Sequence, residues 1–396
     1  MRCIVRGSGR LQKRNRDLQA CLFDQSAGLI CFPLYTKLQC RHTGNIDDDR
    51  SLTTLNAPGR IDLMARLAAA FGSSHSIMLA AELEDWLRSF RESDLRMPYY
   101  DREGRTCSYA EVLARAPANG RERVTDAAIT RGFEAVQAAM QRLKTEIASA
   151  RLDVLVIVGD DQYELFHDAH MPSIGIYYGE TIRNASRSNV GSKPVPPEAW
   201  YREAQLRRLE DDNDAHYPCH RRLALHFIQG LVEREFDISA IASLSAKQYE
   251  GHAFSFVHRW YLAGTGLAVI PVFMNTYNEP NQPTPRRCVR LGKALKELVA
   301  NYPQDLRVGL LASGGLSHFV VEEEMDRAII AALRGKDLDF LAGLDSRMLK
   351  AGSSEIRNWI VVGSAATDLE LSWVSYTPAY RTPALTGTGL GFATWS

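Results

Sequence analysis

The sequence predicts an α/β fold, a single domain with a mostly parallel central sheet flanked by helices. Short unbroken apolar runs, such as residues 154–158 and 267–273, read as strands covered on both faces. Stretches with apolar residues every three or four positions separate those runs, and helix alternating with strand is the pattern of a sheet with helices on both sides. The length of 396 residues with 45% apolar content supplies a substantial core.

The first strand is expected at 67–71. Ile129, Phe133, Val136, Met140, Leu143 and Ile147 then fall on one face of a helix over 125–150, with Thr125 or Asp126 near its cap. That helix leads into a strand at 152–158. Residues 220–234 read as helix, 266–273 as strand, 287–301 as helix and 306–312 as strand. A last helix over 322–334 is stopped by Gly335. The Pro- and Gly-bearing joints at 194–197 and 279–285 read as surface loops, and neither forces a boundary, so 64–396 is one domain.

Residues 1–63 differ in kind. They hold ten Lys or Arg against six Asp or Glu, and four of the seven cysteines, with no sustained helical or strand period. They read as a disordered or non-native N-terminal extension, with Met64 a candidate start directly before the first strand. The Arg-rich opening lacks the apolar face of a transit peptide. Cys21, Cys31, Cys40 and His42 lack the close CxxC pairing of a zinc site.

Charge excludes whole classes of partner. With 47 basic and 47 acidic residues the net charge is zero, so no global field draws the chain to nucleic acid or to an anionic membrane. No apolar run approaches the ~20 residues of a membrane helix. Seven cysteines without paired spacing point to a reducing compartment, and so to the cytoplasm.

In open α/β sheets the ligand site lies beyond the carboxyl ends of the strands. Three loops there carry polar clusters: Gly72-Ser73-Ser74-His75-Ser76, Gly159-Asp160-Asp161-Gln162 and Ser313-Gly314-Gly315-Leu316-Ser317-His318. A lone histidine after a strand is ordinarily a hydrogen-bonded structural residue. Its recurrence in two Gly/Ser loops turns the reading toward a metal or substrate site, because glycine lets backbone approach a ligand closely. No GxGxxG or GxxxxGK[ST] motif follows a strand, and Ser317 stands beside His318 rather than on a nucleophile elbow.

These loops, with Glu355-Ile356-Arg357-Asn358-Trp359 near the end, resemble the class III extradiol ring-cleavage dioxygenases, in particular the catalytic subunits acting on protocatechuate, gallate and 3-O-methylgallate. The likeness is collinear from about Ala65 to Trp395 and includes residues 217–236 and 287–291. No part of 1–63 joins it. The resemblance implies a non-haem Fe(2+) held by two histidines and a carboxylate, with open positions for a catechol and O2. His75 falls on the first histidine ligand, Glu355 on the carboxylate, and His318 on the acid/base histidine. His252 matches a further histidine lining that site. The second histidine ligand falls on Gln162, whose carbonyl is a weaker donor to Fe(2+) than imidazole. Asp161, His167 and His170 are the other donors nearby.

Read from local sequence alone, Glu355 is a first-turn helix carboxylate behind Ser353-Ser354. On the same basis His252 belongs to an aromatic stretch with Tyr249, Phe254 and Phe256, and His318 to a helix cap. The resemblance implies meta cleavage of a catecholic aromatic acid in aromatic degradation, with the substrate and O2 as small-molecule partners. A homo-oligomer is expected, and the small chain that closes the site in the two-subunit relatives either is a separate partner or is dispensed with in this form. A substrate carboxylate calls for an arginine fork, and Arg381 in Tyr380-Arg381-Thr382-Pro383 is one candidate, a solvated surface arginine being the default reading. The alternatives are a metal-dependent hydrolase using His318 as acid/base, and a non-catalytic relative in which Gln162 records lost iron binding.

Overall fold

The computed structural model describes residues 64–189 and 199–396; the expected extension at 1–63 and the joint at 194–197 lie outside the described residues. A nine-stranded sheet organises the described chain. Its strands are β1 (Arg66–Ser73), β2 (Val154–Asp160), β3 (Ile174–Tyr177), β4 (Ser239–Ile241) and β5 (Ala268–Met274). They are followed by β6 (Arg307–Ser313), β7 (His318–Val320), β8 (Leu371–Tyr380) and β9 (Thr386–Trp395). The spatial order is β7-β9-β1-β6-β2-β5-β3-β4, and β8 pairs along β9. The central strands β1, β6, β2 and β5 run parallel, while β9 against β1 and β3 against β5 are antiparallel.

The apolar runs behave as strands buried on both faces. Val154, Val156 and Val158 enter one hydrophobic cluster, and Leu155 and Ile157 enter the other. On the first face lie α2 (Arg221–Glu233), α4 (Pro285–Ala300), α5 (Glu323–Gly335) and α6 (Ile356–Ala365); the second is covered by α1 (Asp126–Ser149) and α3 (His252–Val257). Thr125 caps α1 by accepting from Ala128 N, and Thr284 caps α4 with Pro285 in the first turn. At the end of α5 the left-handed residue is Lys336, at φ 58°, one position beyond the expected Gly335.

Two features are not marked in the sequence pattern. The glycine-rich segment after Arg381 is the buried strand β9, wedged between β8 and the pair β1 and β7. Its glycines hide the strand pattern because neighbours leave no room: a Cβ on Gly389 would lie 2.1 Å from Asp326 Oδ2. The second is α3, which continues into a wider turn over His258–Leu262 and packs its aromatic residues against the sheet.

Candidate metal centre

The parallel strands deliver their ends to one rim. His75 follows β1, Asp160 closes β2, and Ser313 closes β6 before the chain turns through Gly314 and Gly315 to His318. His252 opens α3, and a single helical turn over Ala351–Glu355 sets Glu355 at the start of α6. The ligand atoms of His75, Asp160, His252 and Glu355 all lie within 4.8 Å of one another. The two imidazole rings meet edge to face at 4.6 Å.

Hydrogen bonds fix which nitrogen of His75 faces this cluster. Ser313 Oγ donates its one proton to Ala253 O at 2.6 Å, so towards His75 Nδ1, 3.0 Å away, it can only accept. Nδ1 therefore carries a hydrogen, and Nε2 faces Glu355 Oε2 at 3.3 Å and Asp160 Oδ1 at 3.6 Å. Neither His75 Nε2 nor Asp160 Oδ1 has a hydrogen-bond partner, although both are buried. Leaving such groups unsatisfied costs about 1–3 kcal/mol each. A cation between them removes that cost, and two imidazoles with two carboxylates are a donor set suited to a divalent first-row metal. The residues fit such an ion.

Partners behind the cluster set its electrostatics. Glu164 Oε2 lies 2.7 Å from His252 Nδ1, which turns His252 Nε2 toward Asp160 Oδ2 at 3.8 Å. Burial alone would push His252 down, but the carboxylates of Glu164 and Asp160 outweigh it and hold its pKa up at about 9. Burial and the nearby Glu355 carboxylate raise Asp160. Glu355 is held low: burial opposes this, yet His75 and the Gly315 N–H, donating at 2.6 Å, prevail.

His318 stands beside the cluster without joining it. Its Nδ1–H donates to Leu316 O at 3.0 Å, which leaves Nε2 bare, and burial pushes its pKa down so that the ring stays neutral. Its backbone is pinned by Ser353 Oγ, which accepts from His318 N at 2.7 Å and donates to His318 O at 2.6 Å. The preceding residue is clamped as well, since Asp326 accepts from Ser317 N at 2.9 Å and Ser317 Oγ at 2.6 Å. A cavity of about 320 Å³, within the range of small-molecule sites, is lined by His75, His252, His318, Glu355 and Tyr277 among others.

The expected site residues separate into two groups. His75, Glu355 and His252 converge in the four-residue cluster, and His318 lines the same cavity. Gln162 also lines it, but its Nε2 donates to Asp160 Oδ2 at 3.1 Å and Glu355 Oε1 at 3.3 Å. In this arrangement the amide ties the two carboxylates together and turns a hydrogen-bearing atom, not a lone pair, toward the cluster. Asp161 is turned away, accepting from Leu165 N and Phe166 N, while His167 and His170 are exposed and bridge each other. Arg381 is not brought to the cavity: its guanidinium is buried 2.9 Å from Asp94 Oδ2 and over the ring of Phe90.

Sequence reasoning placed Asp160 in a rim loop without giving it a ligand role, and missed Glu164 and Tyr277. Asp160 had a usable signal, because it is the last residue of an apolar strand and thus at the rim. Glu164 and Tyr277 lie in loops whose local sequence marks nothing.

Residues 130–377 match the family model for the catalytic LigB subunit of aromatic ring-opening dioxygenase. Over 103 residues the chain is 33% identical to a gallate dioxygenase of Pseudomonas putida, covering 26% of this chain and 29% of the relative. It is 27% identical over 194 residues to a 2,3-dihydroxyphenylpropionate/2,3-dihydroxicinnamic acid 1,2-dioxygenase of Comamonas testosteroni, covering 48% of this chain and 49% of the relative. The chain thus spans at most about half the length of these two curated relatives.

Proposed function

The chain belongs to the family of catalytic LigB subunits of aromatic ring-opening dioxygenases, and from that premise we propose that it is an Fe(2+)-dependent extradiol enzyme that opens a catecholic aromatic acid with O2. The observation that carries the reading is the bare, buried Nε2 of His75 between two carboxylate oxygens, with the neutral imidazole of His318 lining the same cavity. His75, His252, Asp160 and Glu355 would hold the metal, in place of the expected role of Gln162. A divalent iron bound there supplies the point at which a catecholate and O2 are brought together. His318 Nε2 accepts the proton of a substrate hydroxyl and returns it as the ring opens. Glu164 keeps His252 turned inward, the Gly315 N–H keeps Glu355 ionised, and Ser313 holds His75 in the tautomer that binds metal.

The two relatives support a substrate of this class, since gallate and 2,3-dihydroxyphenylpropionate both carry adjacent ring hydroxyls and a carboxylate. A cytoplasmic location belongs to the same proposal and agrees with the free thiols of Cys107, Cys219 and Cys288. Among the described residues no helix is long and apolar enough to cross a membrane. The test is oxygen uptake by protein loaded anaerobically with Fe(2+), using protocatechuate, gallate, 3-O-methylgallate and 2,3-dihydroxyphenylpropionate. The proposal expects a ring-opened product containing both atoms of 18O2. Iron-loaded protein that consumes no oxygen with any of the four contradicts it and returns the hydrolase or non-catalytic account.

A further inference from the structure

Among the described residues the acids lining the cavity are Glu164 and Glu355, and both are engaged with histidines, at 2.7 Å to His252 and 3.3 Å to His75. Against them stand three arginines, Arg187, Arg202 and Arg208, on the wall formed by the helix Ala199–Leu206 and its flanks. Arg187 has both terminal nitrogens on Glu203 and Asp211. Arg208 is less engaged. Among the described residues its Nη2 contacts Glu164 at 3.5 Å, Tyr249 is a further side-chain partner, and its buried Nε has no partner. Arg202 is exposed and forms no ion pair among the described residues. A guanidinium offers five donors, so among the described residues this wall has more donors than acceptors. The cation once expected to meet a carboxylate, Arg381, is committed to Asp94 elsewhere.

We infer that this wall is an anion subsite in which Arg208, with Arg202 at its outer edge, takes the carboxylate of the aromatic substrate. The inference rests on the proposed ring-cleavage function and names the residues that make the substrate an acid rather than a neutral catechol. A carboxylate entering the cavity loses water, and an under-used guanidinium returns charge-assisted hydrogen bonds in its place. Arg208 also touches Glu164, the residue that orients His252, so the acid end of the substrate and the metal end of the cavity share one side chain.

The test separates this subsite from the chemistry. Binding of 4-hydroxybenzoate and of neutral 4-methylphenol is measured by calorimetry on the full chain, for wild type, Arg208→Met and Arg202→Gln. Loss of one charge-assisted contact corresponds to about 10- to 100-fold in affinity. Arg208→Met should weaken the carboxylate ligand by that factor while changing 4-methylphenol less than about 3-fold, and Arg202→Gln should weaken it by a smaller factor. Metal content and thermal melting establish that each variant is folded. Where the wild type turns over, the kcat/KM ratio of protocatechuate to 4-methylcatechol should fall by the same factor. Equal affinity for the acid and the neutral phenol in the wild type, or an unchanged preference in both variants, overturns the subsite. Absence of turnover with intact, arginine-dependent binding of 4-hydroxybenzoate counts against the ring-cleavage function and leaves the subsite supported.

Discussion

Replacing Gly352 by alanine perturbs the proposed proton acceptor without removing a polar group. A Cβ at that position would lie 2.5 Å from Cβ and Cγ of His318 and 3.0 Å from its Cδ2. Carbon atoms in contact settle near 3.5–4.0 Å, so relieving the clash moves the two side chains apart by on the order of 1 Å. The backbone of His318 is tied at both N and O to Ser353 Oγ, which leaves the imidazole to take much of that shift. Misplacing a catalytic group by ~1 Å costs on the order of 100-fold in rate. The overpacking itself should lower stability by about 1–3 kcal/mol. The assay compares kcat for oxygen uptake with iron per chain and the melting temperature, in Gly352→Ala and in His318→Ala. A folded, iron-replete Gly352→Ala protein should lose about 100-fold in kcat and approach His318→Ala. Wild-type turnover in that protein would refute the placement of His318 as the proton acceptor.

Other outcomes follow from the same geometry. Ser313→Ala removes the acceptor that fixes the His75 tautomer and should weaken Fe(2+) binding by ~10- to 100-fold, read by anaerobic titration against a chelator. Burial holds His318 below its usual 6.5, so the ring is neutral through neutral pH and the acid limb of kcat/KM should fall below pH 6.5. The unfolded chain takes that proton more readily than the folded one, so this group's contribution to stability is also lost as pH drops through 6.5, measurable by denaturant titration. Asp326→Asn leaves the Ser317 clamp with a weaker acceptor; turnover should fall by roughly 10-fold at unchanged iron content, with a loss of about 1–3 kcal/mol in stability.

The residues show why the sheet was readable and the site only partly so. The run at 154–158 is apolar because both faces of β2 are covered, and α1 shows its buried stripe because its other side meets water. The strand β9 escaped because Gly389 answers to the crowding of Asp326 from another element, a constraint that local sequence does not carry. At the site, His75 was reachable from the rim rule and Glu355 from the family likeness. Asp160 sits one position before Asp161 and two before Gln162, and only the strand's pleat decides which of the three points inward. His252 lies among aromatic residues that are indeed core, with Ala253, Phe254 and Phe256 buried, so its own direction needed the three-dimensional turn at Gly251. Arg381 had a plausible chemistry but a buried partner, Asp94, nearly three hundred residues earlier in the chain.

The central claim is that His75, His252, Asp160 and Glu355 grip one divalent iron. Crystals of protein loaded anaerobically with Fe(2+), measured at the iron absorption edge, address it directly. The account predicts a single anomalous peak within about 2.0–2.3 Å of His75 Nε2, His252 Nε2 and a Glu355 oxygen, with Asp160 adjoining it. Iron bound elsewhere, or no peak between His75 and Glu355 in fully loaded protein, contradicts it.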